Sequence, residues 1–138
     1  RFARRTYAQM YGDELPARTM TEMVTRNPAR AFWMQDRIGS IEEGKLADLL
    51  LLRRRASDPY ESLLQTQIED IELVLREGSP LYGDQRWEEL FRLRSVDYTR
   101  ASVRGRPVCV RGDPGGLLAK VRAAVGFKKV LDYLPLDG

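Results

Sequence analysis

Asn27-Pro28-Ala29-Arg30-Ala31-Phe32, then Asp36-Arg37-Ile38-Gly39-Ser40-Ile41-Glu42-Glu43-Gly44-Lys45-Leu46-Ala47-Asp48, then Leu49 to Leu52, is the most informative run of the chain. Asn27 is placed to cap a helix opened by Pro28, whose missing N–H would have had no intrahelical partner. Gly39 and Gly44 punctuate the next segment, where Ser40 to Glu43 supplies only a short extended or turn-like piece. Leu46 to Leu52 is an apolar run of the length of a buried strand. The predicted order is helix, turn, short strand, turn, buried strand.

These residues resemble the closing segment of the amidohydrolase superfamily, the metal-dependent hydrolases and deaminases. In that family an Asn-Pro-Ala helix ends the catalytic barrel, and Gly-Ser-Ile-x-x-Gly-Lys-x-Ala-Asp-Leu carries the chain back into a small β domain. The match is close from Asn27 to Leu52 and extends more loosely to Asp84, where Asp70 to Gly83 looks like a later strand and turn of the same domain. The resemblance implies hydrolysis of carbon-nitrogen bonds other than peptide bonds by metal-activated water, with a divalent metal such as zinc in the complete enzyme. The family's metal ligands are mainly histidines on barrel strands, and this chain has no histidine. No catalytic, cofactor-binding or metal-binding residue is therefore assigned, and no cofactor is expected in this chain. Asp48 matches the family's Ala-Asp, where the resemblance implies a structural carboxylate fixing the turn into the leucine strand.

At 138 residues the chain is long enough for one domain with a real core. It is too short for a complete barrel of eight strand-helix units, which takes about 250 residues. The first residue is Arg1 rather than Met, so a truncated or processed chain is expected. With 43% hydrophobic and 31% charged residues the composition is that of ordinary globular proteins, and no apolar run is long enough to span a bilayer. Cys109 is the single cysteine, which excludes an internal disulfide and makes a cytoplasmic setting the expectation. A net charge of +3 does not point to nucleic acid. Arg53-Arg54-Arg55 and the group Arg104, Arg106 and Arg111 are local basic clusters, read as solvated or paired with acids in preference to binding phosphate.

Along the chain, residues 2–12 read as a helix with an aromatic side made by Phe2, Tyr7 and Tyr11, ended by Gly12-Asp13. Thr19-Met20-Thr21-Glu22 has the form of a capping box for a second helix. Met20, Met23, Val24, Phe32 and Trp33 are read as core rather than ligand pocket. Beyond the leucines, helices are predicted near 60–68, 85–93 and 116–125. Between them lie two segments of the form strand, Gly-x-Pro, strand, at Ile71–Leu81 and Ala101–Val110, each with its proline early in the returning strand. The tail from Phe127 is expected to dock.

Four groupings bear on chemistry. The adjacent acids Glu42-Glu43 and Glu88-Glu89 do not face one site and read as solvated surface. Asp36, Asp48 and Asp70 form a carboxylate set that would favour calcium or magnesium, without calcium-loop spacing. Cys109 lacks a histidine base and reads as a small buried hydrophobe. Asp113-Pro114-Gly115-Gly116 lacks a phosphate-loop lysine and reads as a helix start.

The expectation is thus an α+β chain: residues 1–35 a helical segment of barrel-end type, and 36–138 a small β-rich sheet or sandwich domain with short helices and a C-terminal helix, with no complete barrel. Its expected function is that of the C-terminal portion of an amidohydrolase-like hydrolase, inactive by itself. Its expected partner is a missing N-terminal catalytic barrel or a second copy, without nucleic acid or membrane. The alternative is a stand-alone dimerisation or protein-interaction module derived from that family.

Overall fold

The computed structural model describes residues 2–126. The chain divides into two compact units, residues 2–47 with 52–70, and 48–51 with 71–126. It is α+β, with helices and one open five-stranded sheet and no closed barrel among the described residues. The expected docking of the tail lies outside the described residues.

The first unit is helical. Helix α1, Phe2–Tyr11, ends as the glycine predicts, with Gly12 N–H donating to Ala8 O at 2.9 Å. Helix α2, Ala17–Val24, begins earlier than the capping box implied. Pro16 is extended and its carbonyl already accepts from Met20 N–H at 3.0 Å, which places Thr19 inside the first turn with no capping role. Glu22 pairs with Arg18 one turn back instead. Helix α3, Arg26–Ala31, also starts before its predicted cap. Thr25 O takes the first intrahelical bond, from Ala29 N–H, so Asn27 and Pro28 sit in the first turn, where an amide has no helical acceptor anyway.

Helix α3 ends in a Schellman motif: Trp33 N–H donates to Arg30 O, and Met34 N–H to Ala29 O. The left-handed position of that motif is held by Trp33 itself, at φ 58°. Helix α4, Pro59–Gln65, is capped by Asp58, which accepts from Glu61 N–H at 2.8 Å. Arg4 of α1 reaches both Glu61 and Glu14, tying α1 to α4.

The segment 37–48 corrects the predicted short strand. It is a series of turns without ladder pairing, and the strand β1 covers only Leu49–Leu52. Nor is β1 buried: it lies at one edge of the sheet, and Leu50 is 53% exposed. A run of leucines fixes the strand but not its cover, and an edge strand has a neighbour on one side only.

The second unit is built from two hairpins. Strand β2, Ile71–Arg76, turns through Glu77-Gly78 into β3, Ser79–Asp84; β4, Tyr98–Val103, turns through Arg104-Gly105 into β5, Arg106–Arg111. All four turn residues have positive φ, the geometry of a two-residue turn whose twist matches the strands. Pro80 and Pro107 stand second in their strands, as the pattern required. The order is β1-β2-β3-β5-β4, with β2, β3, β5 and β4 successively antiparallel.

The register assigns the faces. Leu73, Gly83, Cys109 and Arg100 are paired across the sheet and share one face; Asp84, Val108 and Ala101 share the other. Helix α5, Glu88–Leu93, packs against β3 on the first face, where fully buried Phe91 meets Tyr98 with ring centroids 5.3 Å apart. Gly83 permits this contact, because a Cβ there would lie 3.1 Å from Leu73 and 3.3 Å from Phe91. Helix α6, Pro114–Val125, is capped by Asp113, confirming that Asp113 to Gly116 is a helix start.

Candidate functional site

The most closely paired acids of the structure are Glu88, Asp84 and Asp70, each held by an arginine. Glu88 was expected on the solvated surface with Glu89. It is 9% exposed, at the start of α5 on the covered face of the sheet. Its Oε1 accepts from Tyr98 Oη at 2.5 Å, Arg100 Nη2 at 2.7 Å and Nε at 3.0 Å, and Arg92 Nη2 at 3.1 Å. Hydrogen bonds from Arg100 and Tyr98 favour the ionised form and hold the Glu88 carboxyl at about 2. The strand parity explains the placement, since Tyr98 and Arg100 lie two apart on the face that α5 covers.

A second ion cluster lies on the opposite face. Arg106 donates to Asp84 Oδ2 at 2.5 Å and stands 3.7 Å from Glu72, which is also paired with Arg86. Burial, the largest single effect, pushes the Asp84 carboxyl up, but the Arg106 hydrogen bond, the Arg86 amide and the charges of both arginines together outweigh it, and the net shift is downward. In the first unit, Asp70 is fully buried and accepts from Arg55 Nε at 2.8 Å, Arg55 Nη2 at 2.5 Å and Gln67 N–H at 2.9 Å. The Arg55 hydrogen bonds hold its carboxyl below the usual range. Arg55 and Arg106, both in the basic clusters, are thus committed to acids.

The weighed carboxylate set does not come together. Asp70 is occupied by Arg55, Asp48 accepts from Glu77 N–H at 2.7 Å, and Asp36 lines a separate cleft. The Asp48 carboxylate thus bonds the turn between β2 and β3, 29 residues downstream, and not the turn into the leucine strand that the resemblance implied. No group of three His, Cys, Asp or Glu among the described residues could hold a metal ion. With no histidine in the sequence, the donors present do not fit the zinc that the resemblance implies for a complete enzyme. Cys109 is fully buried, and burial pushes its thiol up, away from nucleophilic character.

What remains is the opening stretch itself. Helix α3 and the turns at 35–45 enclose an open cleft of about 260 Å³, lined by Arg26, Arg30, Gln35, Asp36, Ser40 and Lys45 among others. Lys45 Nζ, only 14% exposed, donates to Ser40 Oγ at 2.6 Å and pairs with Glu42 at 3.3 Å. Hydrogen bonding from Ser40, then from Lys45, holds the Glu42 carboxyl below its usual range. Gly39, at φ 94°, lies so close to α3 that a Cβ would fall 2.6 Å from Ala29 Cβ.

The Amidohydrolase family model matches residues 2–82, more than half of the chain and the whole of that cleft. The chain belongs to the amidohydrolase family. No curated protein and no solved structure matches it. The family match ends within β3, so α5, β4, β5 and the Glu88 cluster lie beyond it. Among the described residues no helix is long and apolar enough to cross a membrane.

Proposed function

We propose that this chain is the C-terminal portion of an amidohydrolase acting on carbon-nitrogen bonds other than peptide bonds, and that it supplies structure rather than the reacting groups. The observation that carries this reading is the pairing of a family match over residues 2–82 with a sequence that contains no histidine. The buried and half-buried carboxylates are engaged: Asp70, Glu88 and Asp84 each bind an arginine. The structural part is supported by the helical unit, where Phe2, Met10, Tyr11, Val24, Phe32 and Trp33 are exposed. Those side chains fit cover by a catalytic barrel, since apolar surface on this scale calls for a partner. Assay of the purified 138-residue chain against amide, urea-type and cyclic-imide substrates tests the reading. It expects no turnover above buffer; saturable hydrolysis would refute it.

The same exposed side chains favour the second reading, a dimerisation or interaction module derived from the family. Sedimentation separates the two. A stable dimer that buries Phe2, Tyr11 and Trp33 supports the module, and a monomer supports the barrel-bracing portion.

A further inference from the structure

Trp33 is costly where it stands. Among the described residues four that are not glycine have positive φ: Trp33, Glu77, Ser95 and Arg104. Glu77 and Arg104 are hairpin turn positions and Ser95 follows the end of α5, so three of the four are polar and Trp33 is the one large apolar side chain. A bulky residue in the left-handed region carries strain that some other contact must offset. Within the chain little does so: Trp33 is 88% exposed, its neighbour Phe32 74% and Ile41 of the following turns 87%. A strained, exposed aromatic side chain is the kind of residue that anchors a contact with another molecule. Beside it lies a hole. Trp33 N–H donates to Arg30 O, and Arg30 and Asp36, either side of Trp33 in sequence, both line the cleft of about 260 Å³. A knob and a hole on one patch meet the condition for an isologous contact, in which each copy gives and receives the same side chain. The charges agree with that occupant. An indole presents a ring face to cations and an N–H to an acceptor. Glu42 pairs with Lys45 and feels the charge of Arg26, which leaves Arg30 and Asp36 as the cation and carboxylate of the lining to meet an incoming ring.

We propose that two copies of this chain associate by a two-fold contact in which Trp33 of each enters the α3 cleft of the other, its ring face against Arg30 and its N–H toward Asp36. This rests on the interaction-module reading and names the anchor of that module. A contact carried by one aromatic residue from each copy is small, so the dimer is weak, with Kd on the order of 10–100 μM.

The test is sedimentation equilibrium of the full chain from ~1 to ~500 μM. Expected are a monomer–dimer equilibrium, a loss of at least about 30-fold in association for Trp33→Gly, and roughly fivefold for Arg30→Ala. Trp33→Gly relieves the backbone strain, so this variant folds. Ser40→Phe, which places a ring in the cleft, should also abolish self-association. Because the contact is reciprocal, a mixture of Trp33→Gly with Ser40→Phe should associate more tightly than either variant alone: the first keeps a hole and the second keeps a knob. A dimer unaffected by Trp33→Gly, or a mixture no tighter than its components, would overturn this inference and leave the interaction-module reading standing through another surface. A monomer up to ~500 μM would overturn both.

Discussion

Replacing Gly39 and Gly44 separately by alanine probes what the opening stretch is for. Both glycines have positive φ, at 94° and 84°, so alanine at either meets backbone strain of about 1–2 kcal/mol. The surroundings differ. Nothing lies within 4 Å of a Cβ at Gly44, whereas at Gly39 it would meet Ala29 Cβ at 2.6 Å, Thr25 O at 3.1 Å and Arg26 Cα at 3.4 Å. Those are atoms of α3 and its cap, and Ala29 is buried, so the overlap cannot be relieved by a side-chain rotation. Overpacking of this kind adds about 1–3 kcal/mol. Gly39→Ala should therefore cost about 2 kcal/mol more than Gly44→Ala, which is roughly a 30-fold difference in the folding equilibrium. In urea followed by far-UV circular dichroism, with m at ~1.5 kcal/mol/M, the two midpoints should separate by ~1.3 M. Ala29→Gly in the Gly39→Ala background removes the opposing Cβ, so the pair should couple favourably by ~1 kcal/mol. Equal costs for the two alanines, or simple additivity with Ala29→Gly, would refute the close approach of this turn to α3.

Trp33 occupies the left-handed position of a helix end while 88% exposed, so Trp33→Gly should stabilise the chain by ~1 kcal/mol in thermal melts; a loss would mean that the indole makes a contact worth more than its backbone strain. The Glu88 carboxyl lies at about 2 in the folded chain against 4.5 for an ordinary glutamate. Its stabilisation is thus complete above about pH 4.5 and lost as pH falls toward about 2, and a stability–pH profile of Glu88→Gln should be flatter than wild type across that window. Asp48→Ala frees the Glu77 amide, and hydrogen exchange at Glu77 should accelerate with a stability loss of ~1 kcal/mol or less.

The parts of this fold that could be read from sequence are those set by local chemistry. Glu77-Gly78 and Arg104-Gly105, each followed by a proline second in the next strand, fixed both hairpins, because positive φ and a missing donor admit few alternatives. Asp113 declared its helix for a similar reason. The caps at Thr19 and Asn27 were misread because another carbonyl upstream, of Pro16 or of Thr25, reached the helix first, and side-chain pattern does not report that competition. The leucine run gave a strand but not its edge position, which depends on the order of pairing. Glu88 was the largest miss in the candidate chemistry. The rule that adjacent acids diverge was sound for Glu88 and Glu89, yet it said nothing of Tyr98 and Arg100, ten and twelve residues on, which meet Glu88 only through the parity of β4. A glutamate at a helix start followed by an Arg-bearing strand was the available signal.

The proposal that this member of the amidohydrolase family does not carry the family's metal chemistry can be checked by metal stoichiometry. The purified chain would be saturated with zinc, passed through a desalting column and analysed by mass spectrometry of the metal. Well under 0.1 zinc per chain is expected, as a rough bound for a protein without a closed donor set. Retention of about one zinc per chain would contradict it.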